Sequence, residues 1–571
     1  MLKFILLCLF LSSCATPVIR QTTRTIRTQV KQGNYKQALK FVQAEKSYKE
    51  KKTRLLYHME QGLIYHLMGH YQKSIGHLGQ AKSIHQKLYT ISLRKKLQTI
   101  ITNETVDIYY GEVFERSLLH FYQALNHFSL YQRGSLLLPK GKEMMIKKLS
   151  QQQKRTHLLS SRAEVVSWDS FLDSQQESRR GKSIFKNDLL SKTFGAFIHE
   201  ALNTPSENQI ALQLYKDAKK ILFRNYNSYK TYNLFSKKFK FDFKKLPRLG
   251  KKKVQKNYVN STPFSEQLTK YLNFKILELT KKVRPLDMKN MIRVHQISKE
   301  TVDKVASTPP SNVAFVIQRG IIPPKVPFKQ HYSLQKALTP DNPTLEQRKW
   351  AKVGSFIIMA YAANELGLFP PANRYDPMGA EIGVRLADYS TSGLAISFEL
   401  PKIQNEKIGE EISLEIYDKN KILAYKGPLS IVAPLGDIAE EAVAEYSAAL
   451  YPKLGARLAM KHMAAIFASY ITYQSLKESK NYNYFAKLAA VAQYMLVAKT
   501  IESSEKADTR YWSTLPSNIR IGNAYLKKGK YAAKIIFTKT INGQVQKRVS
   551  PLGLFTIDDD KKKKILNYRV H

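Results

Sequence analysis

Three groups of residues in this 571-residue chain have types and spacings that can do chemistry. His66 and His70 stand four apart, the interval that lets two imidazoles share a helix face and a metal ion. No third ligand accompanies them, so they read more simply as groove or surface residues. Glu440, Glu441 and Glu445 form a carboxylate cluster. A cell-wall hydrolase needs such an acid in an apolar cleft, where its pKa is raised. Near the start of a helix the same acids are explained by the positive end of the helix dipole. Asp508 and Arg510 lie two apart, on one side of an extended segment, with Trp512 beside them. They read as a structural joint in which each binds backbone where the last helix meets the final sheet. The sequence holds no His-Glu-x-x-His zinc motif, no Gly-x-Ser-x-Gly elbow and no P-loop. No catalytic residue, metal or cofactor is therefore assigned.

Charge is the next signal. Lysine and arginine number 92 against 45 acids, a formal net charge of +47. Between 219 and 258 there are 14 Lys/Arg, one acid (Asp242) and nine Tyr/Phe. Cations interleaved with flat rings can hold a polyanion. The simpler reading puts Tyr226, Tyr229 and Tyr232 on one helix face and Phe239, Phe241 and Phe243 on one side of a strand, with the lysines solvated. Lys251 to Lys253 read as an exposed interdomain loop. At 43% hydrophobic residues the chain has material for real cores, which excludes global disorder.

The N-terminus supplies an address. Phe4 to Leu11 is an apolar run after Lys3, about 12 Å long as a helix and far short of a bilayer core. It predicts a cleaved signal at 1–13. Leu11-Ser12-Ser13-Cys14 resembles the bacterial lipobox, in which the cysteine becomes the acylated first residue of the mature chain. Cys8 would leave with the signal, so Cys14 would be the single remaining thiol and no internal disulfide could form. Ala15 in place of Asp resembles the sorting pattern for the outer membrane, so the expected location is its periplasmic side. That location disfavours nucleic acid as a partner and leaves acidic glycans and lipopolysaccharide phosphates as the available anions.

The elements that must position these residues begin as helical repeats. Gly62-x-x-Tyr65-x-x-x-Gly69-x-Tyr71, followed by Ser74, Leu78 and Ala81, matches the tetratricopeptide (TPR) helix-turn-helix pattern. Gly62 and Ala81 allow close helix contact, Gly69 sits at the turn, and Tyr65, Tyr71 and Leu78 fill the interface. Gly33-Asn34-Tyr35-x-x-Ala38 is a half-match 36 residues upstream, and Leu202 to Ala218 reads as a degenerate third unit with Ala211 and Ala218 in the small slots. Stacked units of this kind generate a concave partner-binding surface.

Tyr109-Tyr110-Gly111-Glu112-x-Phe114-Glu115-Arg116, then His120, Tyr122 and Ala124-Leu125-Asn126, resembles the signature of an uncharacterised family of bacterial TPR-containing periplasmic lipoproteins. A second family-like motif, Ala507-Asp508-Thr509-Arg510-x-Trp512-x-x-Leu515-Pro516, follows about 400 residues later. The chain departs from the pattern after Asn126: Leu136 to Gln153, rich in lysine and glutamine, stands where an acidic, arginine-containing repeat helix is expected. The resemblance implies an architecture rather than an activity.

The C-terminal half is mixed. Strands are predicted at 312–318, 394–400, 412–416, 422–424, 519–521 and 531–537, with Asn542-Gly543 as a hairpin turn. Helices are predicted from Asp437 to Leu450, stopping near Pro452, from Leu454 to about Leu476, and from Asn483 to about Ile501. Asp558 to Asp560 before Lys561 to Lys564 reads as a self-neutralising surface turn. The fold expected is α+β. A signal peptide (1–13) and lipidated tether (14–22) precede a TPR-like helical region (23–225) and a basic, aromatic-rich connector (226–310). A C-terminal α+β domain (311–571) with two or three long helices and antiparallel strands follows. The function expected is a non-catalytic, lipid-anchored scaffold whose groove binds a protein partner of envelope assembly. A peptidoglycan-acting enzyme or a binder of anionic envelope polymers is the alternative.

Overall fold

A computed structural model describes residues 16–95, 108–140, 143–178, 187–224, 262–333, 395–477, 505–541 and 543–571. It also describes residues 185, 226, 229–232 and scattered positions of 486–501. Cys14, the signal segment, Phe239 to Phe243, Lys251 to Lys253, Leu394 and Asn542 lie outside the described residues.

The chain opens with α1 (Thr16–Lys31), α2 (Tyr35–Ala44) and a single turn, α3 (Lys46–Lys49). α4 (Arg54–Leu67) and α5 (Tyr71–Lys95) form the next hairpin. Gly33 and Gly69 make the tight turns at φ +78° and +73°, a region that non-glycine residues enter at a cost. At Gly62 the reason for glycine is contact rather than φ: a Cβ there would stand 2.5 Å from Leu78 Cδ2. Ser74 locks the same crossing by donating to the Gly62 carbonyl at 2.6 Å.

α6 (Val113–Arg133) is capped at both ends, by a reciprocal Glu112/Glu115 box and by left-handed Gly134. The lysine-rich stretch after it is a β-hairpin, β1 (Ser135–Lys140) with β2 (Glu143–Lys148), and not a helix that replaces another. Its two short apolar runs, Leu136 to Leu138 and Met144 to Ile146, pair across the hairpin, and helix resumes as α7 (Gln151–Ser178). α7 carries Arg162 and Glu164. α8 (Leu189–Leu202) and α9 (Pro205–Arg224) complete a third helical hairpin around left-handed Asn203, with Ala211 and Ala218 fully buried. Tyr226 and the turn at 229–232 follow, and Tyr226, Tyr229 and Tyr232 are all buried. α10 (Pro263–Val283), a 3-10 turn (Pro285–Asp287), α11 (Met288–His295) and α12 (Lys299–Ser307) lead to the sheets.

The strands are β3 (Val313–Arg319), β4 (Lys325–Ser333), β5 (Ala395–Ile403), β6 (Glu410–Asp418), β7 (Leu423–Pro428) and β8 (Ser430–Ala433). After the long α13 (Leu435–Lys477) come β9 (Asn518–Ala524), β10 (Gly529–Ile541), β11 (Gln544–Ile557) and β12 (Lys564–Val570). One sheet runs β11-β10-β6-β7, all antiparallel. The other runs β12-β3-β9-β8, with β12 parallel to β3. Among the described residues β4 pairs with β5 alone. The β12-β3-β9-β8 sheet is a middle layer. Val313, Phe315 and Ile317 face the other sheet, while Ala314 and Val316 join the helical core. A strand covered on both faces has to read as an unbroken apolar run, as Val313 to Ile317 does.

One buried cluster runs from Ile26 in α1 to Ile565 in β12, so helices and middle sheet share a core. Two expectations are corrected here. α13 runs through Pro452 without the stop expected there. Proline in a helix interior costs about 3 kcal/mol, and Leu450, Leu454 and Leu458, one turn apart and buried, hold the helix together across it. Asp558 to Lys564 is not a self-contained surface turn. Asp559 pairs with Lys562, but Lys563 turns inward and reaches buried Glu200 at 2.7 Å. Of the helix expected over 483–501, Ala486, Tyr494 and Ile501 are described and buried.

Candidate functional site

The two family-like motifs meet. Glu115, at the third position of α6, accepts from the Glu112 N–H at 2.8 Å and from the Tyr109 hydroxyl. Its other oxygen accepts from the Trp512 backbone N–H at 2.7 Å. Burial, with Glu112 nearby, pushes the Glu115 carboxyl up to about 7. Glu60 on α4 repeats the arrangement one residue further along, accepting from Ser513 N–H and Oγ at 2.7 Å each and from Thr514 Oγ1 at 2.5 Å. Burial raises its pKa too, against those hydrogen bonds.

Asp508 and Arg510 each bind backbone, as the sequence suggested: Asp508 Oδ1 accepts from the Arg510 N–H at 3.0 Å, and Arg510 donates to the Lys52 carbonyl at 3.3 Å. They also bind one another in a two-point pair, Nε to Oδ1 at 2.9 Å and Nη2 to Oδ2 at 2.8 Å. Burial opposes the Asp508 charge, but the Arg510 guanidinium holds its pKa below the usual range. Arg510 also covers the Tyr109 ring. Lys325 reaches Glu112 at 3.3 Å, Trp512 and Pro516 are buried, and Gly111 turns at φ +71°. Tyr110 is partly exposed beside them. The motifs thus clasp α4 and α6 to the segment entering β9.

A second constellation lies on the other side of α6. Arg116, His120, Gln123 and His127 recur at helical spacing and make a stripe about 16 Å long between α5 and α7. Lys82 of α5 reaches across to Glu164 of α7 at 2.6 Å, and the His120 Nδ1–H donates to the same carboxylate oxygen at 3.2 Å. Burial disfavours the Glu164 charge, yet His120 and Lys82 hold its pKa down to about 2. Arg116 donates to His85 Nε2 at 3.1 Å and to Gln175 Oε1 at 3.2 Å. Phe171 lies 5.5 Å from the His120 ring. His127 faces His157 of α7, Nδ1 to Nδ1, at 3.0 Å. Burial and the Arg116 guanidinium push His85 down to about 3, and burial beside His157 pushes His127 down to about 4. These imidazoles are therefore neutral near pH 7. Arg116, His120 and Gln123 are buried and bond to the flanking helices, while His85, His127, His157 and Phe171 are half-buried at the edge of the stripe.

Of the residues singled out in the sequence, Arg116 is in the stripe, and Tyr110, Gly111, Glu112, Glu115, Asp508, Arg510, Trp512 and Pro516 are in the clasp. Gly33, Tyr35, Ala38, Gly62, Tyr65, Gly69, Tyr71 and Ala81 are in the helical hairpins. Tyr65 stacks on His77 at 5.3 Å, and Tyr71 lies under Arg133 at 4.8 Å. His66 and His70 are not paired on one face, because helix α4 ends at Leu67 and His70 lies beyond the Gly69 turn. His66 is instead buried, donating from Nδ1 to Asn126 at 2.6 Å and accepting at Nε2 from Asn567 at 2.9 Å. Among the described residues no group of three or more His, Cys, Asp or Glu is placed to hold a metal ion. Glu440 pairs with Lys230 at 2.6 Å, and burial with Glu445 and Glu440 nearby raises Glu441.

Sequence reasoning missed Lys82, His85, His127, His157 and Glu164, and a buried charge network of Glu200, Lys275, Glu278 and Lys563. In the network Lys275 lies 3.0 Å from Glu200, and Glu278 accepts from the Ser311 N–H at 2.6 Å. Lys275 and Glu278 are one turn apart on α10, a spacing the sequence displays, but Glu200 and Lys563 reach them from other elements, and that part carried no signal along the chain. No family model matches the chain, and neither a curated protein nor a solved structure matches it.

Proposed function

We propose that this chain is a lipid-anchored scaffold on the periplasmic side of the outer membrane, built on TPR-type repeats and related to the TPR-containing lipoproteins its motifs resemble. On this reading Cys14 carries the anchor, and the α5-α6-α7 groove binds a protein partner of envelope assembly without chemistry. The observation that carries it is the half-exposed rim of His85, His127, His157 and Phe171 between α5 and α7, held in place by the buried Arg116-His120-Gln123 stripe beneath it. The helical hairpins α1-α2, α4-α5 and α8-α9, with small buried residues (Ala38, Ala81, Ala211, Ala218) at their crossings, support the repeat assignment.

The test is photo-crosslinking in intact cells. A photoreactive residue replaces Phe171 in the groove or, as a control, Lys539 on β10. A discrete protein species from position 171 and not from 539, lost on Arg116→Ala, is expected. No adduct at 171, or the same adducts from both positions, overturns the scaffold reading.

A further inference from the structure

The junction between α10 and α11 projects from the helical half. Leu286, in the 3-10 turn after Pro285, is 97% exposed, and Val294 on α11 is 60% exposed. α11 lies on the surface with none of its residues fully buried, while Met288 and Ile292 pack inward against the α10 and α12 side. Lys281, Lys282, Arg284, Lys289 and Arg293 are all exposed around the turn. Asp287 is the single acid from 281 to 293. Lys281 and Lys282 are steadied by the Val305 carbonyl at 3.1 Å and by Asn203 at 2.5 Å, so these cations ring a fixed turn. Glu300 and Asp303 on the adjoining α12 are balanced by Lys299 and Lys304.

We infer that this turn and α11 dock on an anionic lipid surface, with Leu286 and Val294 entering the acyl boundary and the five cations meeting phosphate headgroups. A short helix that is apolar at its tip and basic at its flanks favours a membrane interface over water: the apolar side chains leave water while the charged ends stay at headgroup level. Cations within a Debye length of an anionic leaflet add attraction that salt weakens. A protein partner would offer no reason for one fully extruded leucine to be ringed by five like charges, whereas a continuous negative surface does. The surface does not rest on acylation of Cys14 and is tested without it.

The probe is the full-length chain carrying Cys8→Ser and Cys14→Ser, which removes both native thiols. A polarity-sensitive dye is attached at Leu286→Cys or, as a control, at Lys539→Cys. Vesicles containing phosphatidylglycerol should brighten and blue-shift the dye at 286 but not at 539, and vesicles of phosphatidylcholine alone should do much less. In co-sedimentation without dye, Leu286→Ser with Val294→Ser should weaken binding roughly tenfold or more, since the apolar contribution is lost. Lys281→Glu with Lys289→Glu should weaken it comparably and flatten the salt dependence. All four positions are exposed, so an unchanged circular dichroism spectrum accompanies each variant. Binding with no dye response at 286, binding unaffected by the serine pair, or no binding at all overturns the inference. Fatty-acid labelling of Cys14 reports separately on the anchor.

Discussion

At the residue scale, the most consequential group is Glu115, a buried carboxylate that holds Trp512 to α6. Its pKa rises from 4.5 to about 7. The folded state therefore holds a proton that the unfolded chain has released, and stability contributed at this site falls as pH rises from about 4.5 through 7. The shift corresponds to about 3 kcal/mol. Buried histidines oppose this, because His58, His66 and His127, pushed down to about 4, lose stability as pH falls below 6.5. The difference between parent and Glu115→Gln cancels the histidine contribution. Urea denaturation at pH 5 and pH 7.5 should show the variant losing less stability over that interval than the parent, by about 2–3 kcal/mol. Equal slopes would show that Glu115 is not the titrating group. Glu115 and Arg510 were legible as motif residues, but their partners were not. Nothing near Asp508 in the sequence points to Glu112, Lys52 or Tyr109.

At the scale of elements, Gly62 and Leu78 set how closely α4 and α5 cross. Gly62→Val should cost about 2–3 kcal/mol by overpacking, despite valine's better helix propensity. Leu78→Ala alone should cost about 2–4 kcal/mol, since the side chain is fully buried. The pair should cost less than the sum, because the new methyls occupy the space that Leu78 vacates. Thermal or chemical denaturation of the four proteins gives the coupling, and strict additivity would mean that the helices separate elsewhere. This crossing was readable because a glycine and a leucine at fixed offsets report local geometry. The β1-β2 hairpin was not, since six-residue lysine-rich strands carry too short a period to separate from a polar helix. Nor was the passage of α13 through Pro452, which depends on what buries Leu450, Leu454 and Leu458.

For the whole molecule, the shared core from Ile26 to Ile565 ties the first described helix to the last strand. Arg27 on α1 donates to the Ile322 carbonyl, the Tyr511 hydroxyl and the Ser513 carbonyl, spanning nearly the whole chain. The proposed anchor just upstream of α1 would hold this body at a membrane. Cys14→Ala should leave the fold intact while abolishing fatty-acid incorporation, and the variant should appear as unprocessed precursor or in the soluble fraction. Attachment by the basic surface alone would wash off in high salt, whereas acyl insertion would not. Wild-type protein that takes up no label, or that salt releases, would remove the anchor from the proposal.

By itself the sequence determined the mixture of helix and strand, the apolar run of β3, the turn at Gly543 and the glycine-marked helical hairpins. Each of these is written in a period or a turn residue over a few positions, where chain connectivity already holds the interacting groups close. Only the tertiary structure decided that the two motifs form one clasp, that His66 is a buried hydrogen-bonded residue, and that Lys563 enters the Glu200 network. It alone brought Lys82 and His120 to Glu164, with Arg116 one turn away. Those contacts join residues tens to hundreds of positions apart. A charge can be buried only where a partner from another element arrives to meet it, and that meeting is a property of packing rather than of any local pattern.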